Sequence, residues 1–484
     1  MDRMARPLAL PSRMAPTDAL FWYAESALPV FRPIIGGLYL LDRPPSPRVI
    51  ENGLDRALHV VPRLRQRVVE VPFHLGLPEW VEDPHFDRKY HLRQLSLPAP
   101  GTQRQLLDLV AQILATPLDR ERPLWEAHWI DGVEGTRAAL FFKMHHCMVD
   151  GVGSVAILNA LTQTEPRTEL PERPPRPARR SAPSGPAQRL LRLALDDARA
   201  GVRLALGAAF APLRLAIRPA KSAAEFARAA RGLRGMLGDL TRPAIRDPLA
   251  ASSSGLSRRL DVLEIPLERL REIKAPLGIT INDVVLSVLA GALGRYHRER
   301  RVRVEALHCM VPMNLRGRDE RDALGNRVGV FGIVLPVAEK SVARRLERIV
   351  AQTRAAKSDQ RGAAAPLFVQ AATLLPGAAF RWIARRSLGR VNVACTNVPG
   401  VKEPRWIGEA KVEAIFPFAS VVEGTPLVVA LLSYAGAMDV GIDTDPEAIP
   451  DPHRIAELLA EGIDELETFA RRAARRRGPG GPGH

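Results

Sequence analysis

From Ala138 to Leu161 the chain reads as a strand, a turn and a helix in unbroken succession, and no other stretch narrows the possible folds as far. Residues 138–146 (AALFFKMHH) alternate with the period of a strand. Leu140, Phe142, Met144 and His146 share one face, and Phe141, Lys143 and His145 the other. Asp150 and Gly151 then form a turn dipeptide, and Gly151 permits a tight backbone before the apolar helical run 152–161. The alternation predicts different jobs for the two histidines. One imidazole reaches a cleft, the other packs or hydrogen-bonds on the opposite side, and Asp150 helps to fix the turn. The same residues also have a purely structural reading, since His-His arises by chance and Asp-Gly is an ordinary turn. Adjacent strand residues diverge, so no metal site is expected. Cys147 reads as a small apolar filler rather than a nucleophile.

At 484 residues, 46% of them hydrophobic, the chain exceeds one ordinary core and predicts two lobes. The first, residues 1–163, opens with the amphipathic segment TDALFWYAESA from Thr17, a strand over 34–41 and a helix over 49–61. A helix over 103–114 and the histidine strand follow. Residues 164–255 form a Pro/Arg-rich linker and a basic amphipathic helical arm, and residues 472–484 a basic Gly/Pro-rich tail. The second lobe, 256–471, has strands expected at 259–265, 306–312, 328–336, 391–396, 411–418, 427–434 and 438–443. Its helices are expected at 342–357, 366–386 and 452–471, together with an apolar helix opened by Thr280-Ile281-Asn282-Asp283, with Asn282 or Asp283 as its N-cap.

The net charge of +16 invites a nucleic-acid reading that its distribution opposes. Between Arg167 and Arg246, 17 Lys and Arg face 6 Asp and Glu, and Arg471, Arg472, Arg475, Arg476 and Arg477 supply the remaining excess. The lobes are therefore neutral, and nucleic acid is not an expected partner. The arm either covers part of the second lobe or lies on an anionic membrane, and the two readings are compatible. Three widely spaced cysteines, Cys147, Cys309 and Cys395, indicate neither a disulfide framework nor a zinc site and point to a reducing compartment. With no signal-peptide core and no run of 18 uncharged apolar residues, neither secretion by that route nor membrane spanning is expected.

The segment His145–Gly151 matches HHxxxDG, the mark of the coenzyme A dependent acyltransferase superfamily that includes chloramphenicol acetyltransferase and the condensation domains of peptide synthetases. Further blocks narrow the resemblance. Arg122-Pro123-Leu124-Trp125-Glu126 resembles a PLW motif, and Ile281-Asn282-Asp283 an ND motif. Pro312-Met313-Asn314-Leu315-Arg316 with Gly325-Asn326, then Thr396-Asn397-Val398-Pro399-Gly400, then Leu432-Ser433-Tyr434 with Asp443 and Pro450-Asp451, follow in the family's order. Together they resemble the bacterial wax ester synthase/diacylglycerol acyltransferase family over nearly the whole chain. Two departures bear on acceptor preference: the Pro/Arg-rich arm, and Pro33-Ile34-Ile35-Gly36 where family members often read Met-His-Val-Gly.

The resemblance implies an α/β fold of two chloramphenicol acetyltransferase-like lobes. Each carries a mixed sheet flanked by helices, and an active-site tunnel runs between them. It implies transfer of a fatty acyl group from acyl-CoA, a co-substrate with no further cofactor, to a long-chain alcohol or a diacylglycerol. In this picture His146 is the general base, His145 supports the strand end, and Asp150 holds the motif in shape by pairing with Arg316. Asn282 polarises the thioester carbonyl, shapes the tunnel or caps its helix; Asp283 belongs to the same motif, and Trp125 is a packing anchor. The expected location is cytoplasmic, with peripheral contact to an anionic membrane or lipid droplet through the basic arm. Competing readings are a carrier-protein-dependent acyltransferase of the condensation-domain type and a non-catalytic membrane or lipid-droplet scaffold.

Overall fold

The computed structural model describes residues 7–8, 10–28, 31–71, 77–148, 151–167, 245, 247–252, 257–314, 328–358, 390–421 and 424–477. The first half builds α1 (Pro16–Ala27), β1 (Ile34–Leu41), α2 (Pro47–Val60), β2 (Gln66–Val69), β3 (Glu79–Glu82), α3 (Arg88–His91), β4 (Leu92–Ser96), α4 (Gln103–Ala115), β5 (Trp125–Val133), β6 (Arg137–His145) and α5 (Gly151–Leu161). The second half builds β7 (Arg259–Pro266), α6 (Leu267–Leu277), α7 (Ile281–Glu299), β8 (Leu307–Asn314), β9 (Val328–Leu335) and α8 (Val342–Ser358). It continues with β10 (Val393–Val398), β11 (Arg405–Ile407), β12 (Ala410–Ala419), β13 (Leu427–Tyr434), β14 (Ala437–Thr444) and α9 (Pro452–Arg477). The helix expected over 366–386, the arm over 187–240 and residues 325 and 326 lie outside the described residues.

Two mixed sheets organise these elements. One runs β11-β12-β1-β6-β5-β4, with β4 and β5 parallel and the remaining neighbours antiparallel. The other runs β7-β14-β13-β10-β8-β9, with β10 parallel to both β13 and β8. Around the first sheet, Leu106, Leu107, Val110 and Leu114 of α4 pack with Leu38, Phe141 and Phe416, while Trp22 of α1, Leu54 of α2 and Leu158 of α5 join Leu140 and Phe142 in a separate core. In the second, α7 is apolar around nearly its whole circumference and buried from Asp283 to Gly294, as a central core helix must be. Ile455, Leu458, Leu459, Ile463 and Leu466 of α9 join that core, as their spacing predicts. Among the described residues no single helix is long and apolar enough to cross a membrane.

The sequence places residues 405–419 with the second lobe, but the structure moves them to the first. Strand β12 pairs with β1 from Ile35↔Ala419 to Leu41↔Val412, and β11 extends the same sheet. Alternating apolar residues would suit either sheet, so the choice of partner is a long-range one that local pattern does not encode. The crossing is close. A Cβ on Gly441 of β14 would lie 1.8 Å from the Pro417 carbonyl oxygen, so only glycine lets the two backbones pass.

Beside that crossing the Ile415 amide donates to Asp439 Oδ2 at 2.7 Å. Burial pushes the Asp439 carboxyl up to about 7, with the Ile415 hydrogen bond pulling the other way and Glu264 reinforcing the rise. Because the folded value is raised, the stabilisation from this group is fully present below the unfolded value of 3.8 and is lost as pH rises through about 7. A side-chain amide in its place would ionise in neither state. The expected result is that Asp439→Asn gains stability relative to the parent between about pH 4 and 7, with a flat difference above. Urea midpoints across that range read it, and a pH-independent difference would contradict the burial of a protonated carboxyl.

Candidate active site

Strand β6 ends on His145 and leads directly into His146, and this junction is pinned from both sides. The His145 amide donates to the Leu124 carbonyl at 2.9 Å, the His146 amide to the Pro33 carbonyl at 2.7 Å, and Met148 returns to the His145 carbonyl at 3.0 Å. This last bond ends the strand at His145. The alternation therefore does not carry on to His146, and the opposite faces expected for the two rings are not what the structure shows. Both rings meet α1, at neighbouring residues: His146 stacks on Phe21 with centroids 4.2 Å apart, and His145 stands edge-on to Trp22 at 6.1 Å.

The two histidines differ instead in access. His145 is only 1% exposed, whereas His146 is half-buried. His145 Nδ1 accepts the Cys147 amide at 3.1 Å, which leaves the ring proton on Nε2, 3.5 Å from Glu25 Oε2. Burial holds the His145 pKa below the ordinary imidazole value, although Glu25 opposes that shift. Burial would by itself raise Glu25, but the contact with His145 and the charges of His145, Arg120 and Arg32 hold it below the usual glutamate value. Arg120 Nη1 donates to Glu25 Oε2 at 2.9 Å while its guanidinium lies 3.4 Å from the Trp22 ring centroid. Cys147 is buried and its thiol pushed far up by burial, which removes it as a nucleophile and agrees with its reading as filler.

Lys143, two residues back along β6, is fully buried with Nζ donating to the Thr116 carbonyl at 2.6 Å and 3.6 Å from Glu126. Burial draws its pKa down to about 8 against the pull of Glu126. Its partners are structural.

Trp125 underlies the motif. It pairs with Met144 across the strands, is closed off from solvent and donates its indole N–H to the Leu64 carbonyl at 2.7 Å. His91 and Phe142 stack on its two sides with centroids at 4.5 and 5.4 Å, so it packs as the sequence predicts. Gly151 begins α5. Asp150 and Arg316 lie outside the described residues.

From the second lobe, Val398, Val401 and Leu432 join the apolar cluster that contains Cys147 and Met148. Asn397, one residue before Val398, donates to Asn282 Oδ1 at 2.7 Å. The N-cap of α7 is Thr280, not Asn282 or Asp283. The Thr280 hydroxyl accepts the Asp283 amide and the Asp283 carboxylate accepts the Thr280 amide at 2.8 Å. Asp283 is buried and also accepts from Thr353 of α8 at 2.5 Å, which makes it structural. Among the described residues no group of three or more His, Cys, Asp and Glu side chains could hold a metal ion.

Sequence reasoning passed over Glu25 and Arg120. Glu25 reads as the polar side of an amphipathic helix, and the one cue to it is that it stands four residues after Phe21, on the same helix face.

Two family models match the chain, the wax ester synthase/diacylglycerol acyltransferase catalytic domain over residues 14–285 and the corresponding C-terminal domain over 324–467. The chain belongs to the wax ester synthase/diacylglycerol acyltransferase family. It is an acyltransferase, with the two-sheet fold of that family. A probable diacylglycerol O-acyltransferase of Mycobacterium tuberculosis is 29% identical over 95% of this chain and 97% of its own length. Among solved structures, the wax ester synthase/diacylglycerol acyltransferase of Marinobacter aquaeolei VT8 superposes with a TM-score of 0.63 at 27% identity, over 95% of this chain and all of that one. The first condensation domain of the calcium-dependent antibiotic synthetase shares the fold at a TM-score of 0.60 and 17% identity, covering 96% of this chain and 98% of that one.

Proposed function

We propose that this acyltransferase moves a fatty acyl group from acyl-CoA to the hydroxyl of a long-chain alcohol or a diacylglycerol, with His146 as general base. The observation that carries the assignment is the unequal access of the two rings. His145 is buried with its Nδ1 bound to a backbone amide and its Nε2 against a carboxylate, while His146 lies past the strand end, stacked on Phe21 and only half-buried.

An alcohol is too weak an acid to ionise freely at neutral pH, so its proton must leave as its oxygen attacks the thioester carbonyl. His146 takes that proton. The C–S bond then breaks, and the imidazolium returns the proton to the departing thiolate, so no covalent acyl-enzyme forms. Asn282, whose Oδ1 is engaged by Asn397, has its amide N–H group to offer the thioester oxygen. Asp150 and Arg316 are assigned the part of holding the motif across the two lobes by pairing with one another. Purified protein given palmitoyl-CoA and either hexadecanol or a diacylglycerol is expected to release free thiol and form the matching ester. Failure to do so with both acceptors contradicts the reading.

The same reading makes the protein cytoplasmic and peripheral to a membrane or lipid droplet, where both greasy substrates reside. What supports it is the excess of 17 cationic over 6 anionic residues between positions 167 and 246. The full chain is expected to bind anionic vesicles at low salt and to lose most of that binding once the Debye length falls to about 3 Å near 1 M salt. Binding that ignores salt, or none, counts against the arm's role.

A further inference from the structure

Helix α1 supplies more than packing to the histidine turn. Phe21 and Glu25 stand one helical turn apart, Phe21 stacked on His146 and Glu25 facing His145. The His145–Glu25 contact is buried, with the carboxylate 9% exposed, and Arg120 supports it from the segment before β5. The groups facing His145 are thus Glu25 of α1 and Arg120, and those facing Glu25 are His145, Arg120 and Arg32.

We infer that Glu25 is a positioning residue for the acyl transfer: the negative charge of its carboxylate, 3.5 Å from Nε2 and acting through its field rather than through a hydrogen bond, favours the His145 proton on Nε2, which keeps Nδ1 as acceptor for the Cys147 amide and so fixes the turn that presents His146. A neutral imidazole has one donor nitrogen and one acceptor nitrogen, and its surroundings choose between them. If the proton moved to Nδ1, two N–H groups would point at each other across the 3.1 Å now spanned by a hydrogen bond. Protonating His145 has the same consequence, since both ring nitrogens then donate. Acid should therefore open the turn as well as protonate the base. Glu25 favours the His145 imidazolium, so removing its charge moves that opening to lower pH, even as it weakens the hold on the tautomer at neutral pH.

This inference rests on His146 as base, and the test separates the two. Steady-state thiol release is measured for the parent, Glu25→Gln, His145→Ala, their double variant and His146→Ala. Glu25→Gln keeps the shape and removes the charge. It is expected to lower kcat about tenfold, the loss of one charge-assisted contact, with KM for palmitoyl-CoA within about twofold of the parent and the acid limb of the rate profile displaced to lower pH. Adding it to His145→Ala is expected to change nothing further, because its action passes through that ring. If Glu25→Gln does not fold, Glu25→Asp, which keeps the charge but withdraws it by one methylene, is expected to lower kcat with the acid limb unmoved. A Glu25 variant with the parent's kcat and acid limb, while His146→Ala is crippled, overturns the role of Glu25 alone. Additive losses in the double variant overturn it too. A His146→Ala protein as fast as the parent overturns the general-base reading first.

Discussion

His146→Ala is expected to lower the rate of acyl transfer by about 10²- to 10⁴-fold, the usual contribution of a positioned general base, or roughly 3 to 5.5 kcal/mol of barrier. The loss should fall on kcat, because the side chain removed is one that accepts a proton only as the reaction proceeds. Stability should change little. His146 is half-buried, and alanine gives up its stacking on Phe21 but retains the backbone amide bond to Pro33. Thermal unfolding of the variant beside its kinetics distinguishes a lost base from a lost fold.

Trp125→Ala should be the most destabilising single change at the site. The indole is sealed between His91 and Phe142 and holds the Leu64 carbonyl. Truncation leaves a cavity in a packed region, an effect of about 3–5 kcal/mol for a large aromatic, and strands a buried acceptor at about 1–3 kcal/mol more. Trp125 pairs with Met144, one residue before His145, so activity should fall as well. A loss below about 1 kcal/mol in urea unfolding would show that the ring is not the anchor described.

Much of this site is legible in the sequence, and the exceptions have one physical character. The alternation over 138–146 gives β6 to within a residue of each end, and α5 begins at Gly151, one residue before the apolar run read from the sequence. Those are local signals, since strand period and turn chemistry act over a few residues. What local pattern misses is long-range. Strand β12 belongs with β1, which lies near the opposite end of the chain, and nothing in its own alternation says so. Glu25 looks like any solvent-facing carboxylate until the fold sets it against His145, far downstream in the sequence. The opposite faces predicted for His145 and His146 fail for a related reason: the strand ends one residue earlier than its alternation, because Met148 closes a turn on the His145 carbonyl. Even the helix cap is decided by geometry, with Thr280 taking the position while Asp283 serves three residues inside it.

Direct transfer through His146 is tested most sharply by mixing enzyme in excess over palmitoyl-CoA and following free thiol in a single turnover, first without acceptor and then with hexadecanol or a diacylglycerol. The account predicts thiol only when the hydroxyl is present, at a rate that His146→Ala lowers by about 10²-fold or more. Stoichiometric thiol without acceptor, with the acyl mass found on the protein, would contradict it, as would a His146→Ala protein that matches the parent.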